Sequence, residues 1–222
     1  FITTYVFIVK ILNMKKIILI LLLCLIPSLI FATDYYLGPK AGLNINKFYG
    51  SGIDDQIDAI NSAYGTDAEN VSKLSGSFGA FSNFRFSETF SLQVELYFTS
   101  YAGKLEDGDA SITTTQGGID LPVLCKYHIN DFSLFGGLCI FIPMGDSEIE
   151  FDDGTDTETE DGDTSDTNLG LVLGAGYDIP MGNGYLALDG RLFLGLTDID
   201  GDIDDVKERR ISFNVGYGFK LN

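Results

Sequence analysis

Phe90-Ser91-Leu92-Gln93-Val94-Glu95-Leu96-Tyr97-Phe98-Thr99 changes character at nearly every residue. Phe90, Leu92, Val94, Leu96 and Phe98 share one parity, and Ser91, Gln93, Glu95, Tyr97 and Thr99 the other. A β-strand turns successive side chains to opposite faces, so the stretch reads as a strand with one wholly apolar face and one mixed face. Whatever covers the apolar face has to be apolar too, and the mixed face has to supply partners for a carboxylate.

Seven further segments carry the same alternation. The first sets Leu37, Pro39, Ala41, Leu43 and Ile45 against Gly38, Lys40, Gly42, Asn44 and Asn46; the second sets Phe78, Ala80 and Phe84 against Ser77, Gly79, Asn83 and Arg85. The fourth places Ile119, Leu121, Val123, Cys125 and Tyr127 opposite Asp120, Lys126 and His128, whereas the fifth, over 134–142, is apolar on both faces. In the sixth, Leu169, Leu171, Leu173, Ala175 and Tyr177 oppose Gly170, Gly174, Gly176 and Asp178. The seventh sets Leu186, Leu188, Leu192, Leu194 and Leu196 against Asp189 and Arg191; the eighth sets Ile211, Phe213, Val215, Tyr217 and Phe219 against Ser212, Asn214, Gly216 and Lys220.

The connections alternate in length. Residues 87–89, Asn130-Asp131 and Gly182-Asn183 are turn formers at hairpin spacing, while 49–73, 102–116, 146–167 and 198–209 are long. All long connections therefore leave one end of the sheet and all tight turns the other, an asymmetry of outer-membrane barrels. Lys40, Glu95, Lys126, Asp189 and Arg191 all fall on the mixed face. An uncharged outer face in water would be an apolar belt larger than soluble proteins expose. In lipid it is required, since Arg or Lys at mid-membrane costs about 2–4 kcal/mol. Ten residues at about 3.3 Å, tilted about 45°, span roughly 23 Å, close to the apolar band of such barrels. The expected fold is all-β, an eight-stranded antiparallel up-and-down transmembrane β-barrel. Tyr35, Phe84, Phe86, Phe90, Tyr127, Tyr177 and Tyr217 cluster at the tight-turn end and predict an aromatic girdle.

Ahead of the strands, Met14-Lys15-Lys16, an apolar run over 17–25, then Pro27, Ser28 and Ala32 follow the grammar of a secretory signal. The expected organisation is an upstream leader or misassigned start over 1–13, a signal peptide over 14–32, and the barrel over 33–222. All 32 acidic residues but only 11 of the 14 basic ones follow position 33, a balance that argues against nucleic acid as a partner.

The segments GPKAGLNINKF (38–48), SLQVELYFTSYAGK (91–104), DLPVLCKYHI (120–129), FSLFGGLCIFIP (132–143), NLGLVLGAGYDI (168–179) and LALDGRLFLGLTDI (186–199) resemble the PorT-type outer membrane protein beta-barrel family of Bacteroidetes. Val94 departs from that pattern, standing where members often carry proline. The resemblance implies an outer-membrane location and leaves mechanism open, some relatives being associated with protein secretion.

An eight-stranded barrel is narrow enough for side chains to fill, so Lys40, Arg85, Glu95, Asp120, Lys126, Asp178, Asp189 and Arg191 should form a plugged, ion-paired interior, with Glu95 meeting Lys126 from the adjacent strand. His128, the single histidine, lies on the inner face beside a tight turn; the plainer reading is a polar plug residue, the sharper one a membrane-embedded acyltransferase or protease. No catalytic set is visible, and a non-enzymatic protein is expected. With Asn130-Asp131 as the turn, Cys125 opposes Gly136 and Cys139 opposes Pro122, so the two thiols point to opposite faces and should stay free.

Twenty-five of the 32 carboxylates fall in the long connections, five, three, eleven and six in chain order, which crowds them at one surface. Asp152, Asp156, Asp161 and Asp163, and Asp198, Asp200, Asp202 and Asp204, have the alternate spacing of hard oxygen ligands and are candidates for Ca²⁺ or Mg²⁺, bridging to anionic surface glycolipid. Neither run is an EF-hand: Ile203 stands at position six of the second and Arg209 at position twelve. The plainer reading is a solvated, mobile charge run. The functional expectation is an integral barrel, monomeric, with a structural or surface-interaction role in contact with lipid and surface glycolipid; an accessory role in secretion or transport is the alternative.

Overall fold

In the computed structural model, which describes residues 32–162, 167–199 and 205–221, period-two alternation becomes strands throughout the wall. In chain order the elements are β1 (Asp34–Tyr49), α1 (Ser51–Tyr64), β2 (Glu69–Val71), β3 (Lys73–Arg85), β4 (Phe90–Asp107), β5 (Ala110–Ile129), β6 (Phe132–Pro143), β7 (Ser147–Asp152), β8 (Thr157–Gly162), β9 (Asn168–Pro180), β10 (Gly184–Gly195) and β11 (Lys207–Lys220). Eight of them, β1, β3, β4, β5, β6, β9, β10 and β11, each pair antiparallel with the next, and β11 returns to β1. The ring is closed, so no strand edge in the wall is left without a partner in lipid. The predicted signal segment over 14–32 lies outside the described residues except for Ala32, as does all of 1–13.

Register follows the turns. Cys125 pairs with Gly136 and Cys139 with Pro122; Cys125 is exposed on the outer face, Cys139 is buried, and both thiols are free. Asn130 adopts φ 57 and Gly182 φ 59, the left-handed region that these two residue types enter at least cost. On the outer face Leu43, Phe78 and Phe213 are 68%, 64% and 61% exposed, and large apolar partners meet across strands, as Phe98 with Ile119 and Leu188 with Val215. At the tight-turn end Phe90 lies edge-on to Tyr127, and Tyr217, lying edge-on to Phe219, donates to the Met181 carbonyl at 2.6 Å.

The inner face is less polar than its alternation suggests. Tyr36, Phe81, Tyr97, Phe135, Tyr185 and Phe193 all point inward and are buried. Small residues opposite make room: a Cβ on Gly170 would stand 2.2 Å from the Phe193 ring, and one on Gly174 2.5 Å from Phe135. The doubly apolar 134–142 segment is explained in the same way, with Leu134 and Leu138 facing outward while Phe135, Cys139 and Phe141 fill the lumen.

Two expectations about the connections are corrected. Residues 102–116 are no loop: β4 and β5 run on as a hairpin to Asp107 and Ala110, turning at Gly108, φ 59. Above the lipid the apolar face is no longer imposed, but Ile112 and the run of threonines at 113–115 keep their preference for extended backbone. Nor is the acidic third connection a loop over residues 147–162. β7 and β8 form a hairpin whose β7 edge pairs with β5 (Ile112 with Phe151), and β2 pairs with β4 (Val71 with Lys104). The barrel thus carries a sheet and a helix beyond its long-connection end.

Candidate functional site

The lumen is filled by charge. Glu95 on β4, fully buried, accepts from Lys40 Nζ of β1 at 2.9 Å, from Arg191 Nη1 and Nη2 of β10 at 2.5 and 3.3 Å, and from Gln93 Nε2 at 2.5 Å. Asp189 completes the group, bonded to Lys40, to Arg191 Nη2 at 2.8 Å and to Asn214 Nδ2 at 2.8 Å. Toward the tight turns Asp178 accepts from Arg85 at 3.0 Å and stands 3.8 Å from Lys126. Toward the long connections Arg210 donates to Asp120 at 2.6 Å and lies 3.6 Å from Glu208. Five cations (Lys40, Arg85, Lys126, Arg191, Arg210) thus face five carboxylates (Glu95, Asp120, Asp178, Asp189, Glu208). Beyond them Tyr101, Phe141, Ile199 and Val206 pack together across the upper lumen.

All the inward charges expected from sequence are placed inside, but the expected Glu95–Lys126 pair is not formed. The register sets Lys126 opposite Ser91, four residues along β4 from Glu95. Lys126 bonds Gln93 Oε1 instead, at 3.2 Å. Arg210 and Glu208 escaped the sequence reading, although the Ser212 parity continues through both. Arg209, a charge on the outward parity, disguised the upward continuation of β11. His128 is buried and its Nε2 lies 2.8 Å from Ser91 Oγ, a serine the sequence did not bring to it. Its Nδ1 has no hydrogen-bond partner among the described residues.

The second feature lies above the wall, on the continuation of its inner face. A cleft of about 460 Å³ opens between the α1–β2 corner and the β4–β5–β7 extension. Leu105, Ile112 and Phe151 are successive cross-strand partners and so share one face, forming its floor, with Ile60 and Ala68 opposite. Glu106, Asp107, Asp152, Asp153, Asp156 and Glu158 surround it. The corner is held by Asn61, whose side chain bonds both the amide and the carbonyl of Ala68, at 2.8 and 3.2 Å, and by Gly65 at φ 67 closing α1. At the start of α1, Asp205 of the fourth connection accepts from the Ser51 amide and hydroxyl at 2.8 and 2.7 Å. Its bond to Lys207, and then those to Ser51, hold its carboxyl well below the usual range.

Of the candidate ion ligands, Asp152 and Asp156 sit at the β7–β8 tip on the rim of the cleft, and Asp152 accepts from the Gly154 amide at 2.9 Å. Between them Asp153 accepts from the Asp156 amide and from the Thr155 hydroxyl and amide, which lowers its carboxyl to about 2. Asp161 stands opposite Glu148, at the other end of the hairpin. Asp198 is 3.5 Å from Lys207. Asp163, Asp200, Asp202 and Asp204 lie outside the described residues. Among the described residues no three His, Cys, Asp or Glu side chains converge as a metal site.

No curated protein matches the chain by sequence. Among solved structures it is similar to Ail, the attachment invasion locus protein of Yersinia pestis, in complex with the heparin analogue sucrose octasulfate. That likeness is 15% identity over 84% of this chain and 100% of Ail, with a TM-score of 0.43. Neisserial surface protein A is similar at 13% identity over 82% of this chain and 96% of its own, TM-score 0.41. OprG from Pseudomonas aeruginosa is similar at 14% identity over 86% and 97%, TM-score 0.41. The family model described as "Outer membrane protein beta-barrel domain" matches residues 33–201. With most of the chain matched, and eight strands closing on themselves with their apolar side outward, this is a transmembrane barrel of the bacterial outer membrane and belongs to the outer membrane protein beta-barrel domain family.

Proposed function

We propose that the protein is a non-conducting, monomeric surface barrel whose working part is the acidic platform above the membrane, with a role in surface interaction or envelope integrity. The observation that carries this reading is the lumen. Glu95 is bound at once by β1 and β10, so the ion pairs cross the bore, and an aromatic and aliphatic layer closes over them. A wall plugged in this way offers solutes no path, and what it can offer is the surface that it holds up.

A PorT-type affiliation and contact of the acidic connections with anionic glycolipid through divalent cations belong to the same reading. It is also non-enzymatic: the Ser91–His128 pair lacks a carboxylate on Nδ1 and is sealed inside the wall. The test is a planar-bilayer recording of the refolded chain, with a heat-modifiability gel to show that the barrel has formed. A folded, electrically silent barrel is expected. Steady conductance from that folded species would refute the reading.

A further inference from the structure

We propose that the cleft between the α1–β2 corner and the β4–β5–β7 extension binds a cationic amphipathic peptide segment, one apolar side chain on the floor and flanking Lys or Arg at the rim. This rests on the reading of the platform as a recognition surface and names its ligand class. Two features of the cleft point the same way. Ile112 and Phe151 are each 39% exposed although they project from the part of the sheet that extends above the apolar wall, where lipid does not account for their exposure. Around them stand Asp107, Asp156 and Glu158, and among the described residues the one cation bonded to this rim is Lys104, 2.9 Å from Glu106.

The chemistry selects the occupant. A bare polyamine would leave the Leu105–Ile112–Phe151 floor wet, and a neutral apolar ligand would gain nothing from the carboxylates. A divalent ion needs convergent ligands, which the described residues do not form. An anionic ligand would meet like charge. The volume, about 460 Å³, lies within the roughly 300–1,000 Å³ of small-ligand clefts, suited to a few side chains and not to a folded domain. Because the floor residues are cross-strand partners on paired strands and the opposite wall is pinned by Asn61, the cleft is preformed, and little ordering cost falls on binding.

The chain has no tryptophan, so the amidated peptide Lys-Lys-Trp-Lys-Lys reports on its own burial when titrated against the refolded protein in nonionic maltoside micelles. Saturable binding with a blue-shifted emission is expected. Pentalysine amide, followed by calorimetry, should bind about tenfold more weakly, as should the tryptophan probe to Phe151→Ser, each having lost one apolar burial. Ile112→Thr, a milder change, should lose several-fold, and each variant is first confirmed as folded by heat-modifiability. The pair Asp156→Asn with Glu158→Gln should weaken binding and flatten its salt dependence. An unshifted emission, or equal affinity for Phe151→Ser and parent, would overturn the proposal. The same preparation is recorded in a bilayer: silence without peptide binding sinks this inference alone, whereas steady conductance sinks the reading beneath it.

Discussion

Replacing Glu95 by glutamine removes the charge that Lys40 and Arg191 share. The parent site sets two cations against two carboxylates, Glu95 and Asp189, all four side chains essentially buried. In Glu95→Gln two cations face one carboxylate. The amide has nearly the same volume, so no cavity enters, and its carbonyl can still accept one hydrogen bond. What remains is an unmatched buried positive charge. Removing one partner of a buried pair costs about 3–5 kcal/mol, and the remaining Asp189 and amide carbonyl put this case near the lower end, about 3 kcal/mol. Urea unfolding of the barrel in liposomes, followed by tyrosine fluorescence and by heat-modifiability, measures it. Adding Lys40→Met to Glu95→Gln restores one cation to one carboxylate and should recover about half of the loss, a coupling that a double-mutant cycle isolates. Two results would refute the reasoning: Glu95→Gln within about 0.5 kcal/mol of parent, the range of an inconsequential surface change, or Lys40→Met adding to the damage instead of relieving it.

Three further outcomes are expected. Leu188→Arg, on the outer face opposite Val215, should cost about 2–4 kcal/mol in the same liposome titration; a change too small to measure would mean that this face does not meet lipid. In native barrels a lipophilic maleimide should label Cys125 and spare the buried Cys139, with no disulfide on a non-reducing gel, and the reverse order of labelling would invert the face assignment. The Asp153 carboxyl, lowered from 3.8 to about 2 by amide and hydroxyl donors, binds its proton less readily in the folded tip than in an unfolded one. The tip is therefore fully stabilised above about pH 4 and loosens as pH falls toward 2. Carboxyl-carbon NMR that found Asp153 titrating near 4 would remove that mechanism.

The wall was legible because lipid enforces a rule on it. Where hydrocarbon touches one side, every second residue has to be apolar, and Phe90 to Thr99 states the rule without exception. The Asn130-Asp131 turn then fixed the pairing of Cys125 and Cys139 to the residue. Above the membrane the rule lapses, and there the sequence reading left loops. The helix nonetheless had a signal in Ile53, Ile57 and Ile60, spaced four and three apart on one helical face, within a segment otherwise polar enough to pass for a connection. Its docking by Asp205 had none, since the partners are 154 residues apart. The pairing of Glu95 failed for a different reason. Strand order names neighbours around the wall, but charges in a narrow lumen meet across the bore, and Lys40 and Arg191 lie on β1 and β10, neither of them adjacent to β4.

The distribution of charge connects the wall to the platform. The formal net charge of the chain is −18, yet the five lumen cations and five lumen carboxylates cancel, so the excess resides in the connections and not in the wall. On the outward parity β1 carries no charge from Tyr35 to Ile45, nor β11 from Ile211 to Leu221, and the next outward pair above Ile45 and Ile211 is Lys47 with Arg209. Charge on that face costs least at the interface and most at mid-membrane, so the pair marks the upper border of the hydrocarbon. Eight residues separate Leu37 from Ile45, which at about 3.3 Å each and a tilt of about 35–45° rise roughly 19–22 Å, most of a bilayer's apolar band. The carboxylates of the long connections, 25 of the chain's 32, begin beyond that border. Raising ionic strength should therefore weaken the binding of a cationic peptide to the platform while leaving urea unfolding of the wall nearly unchanged, because buried pairs are shielded from salt. Parallel salt dependence of both would mean that lumen and platform are not the separate electrostatic compartments described.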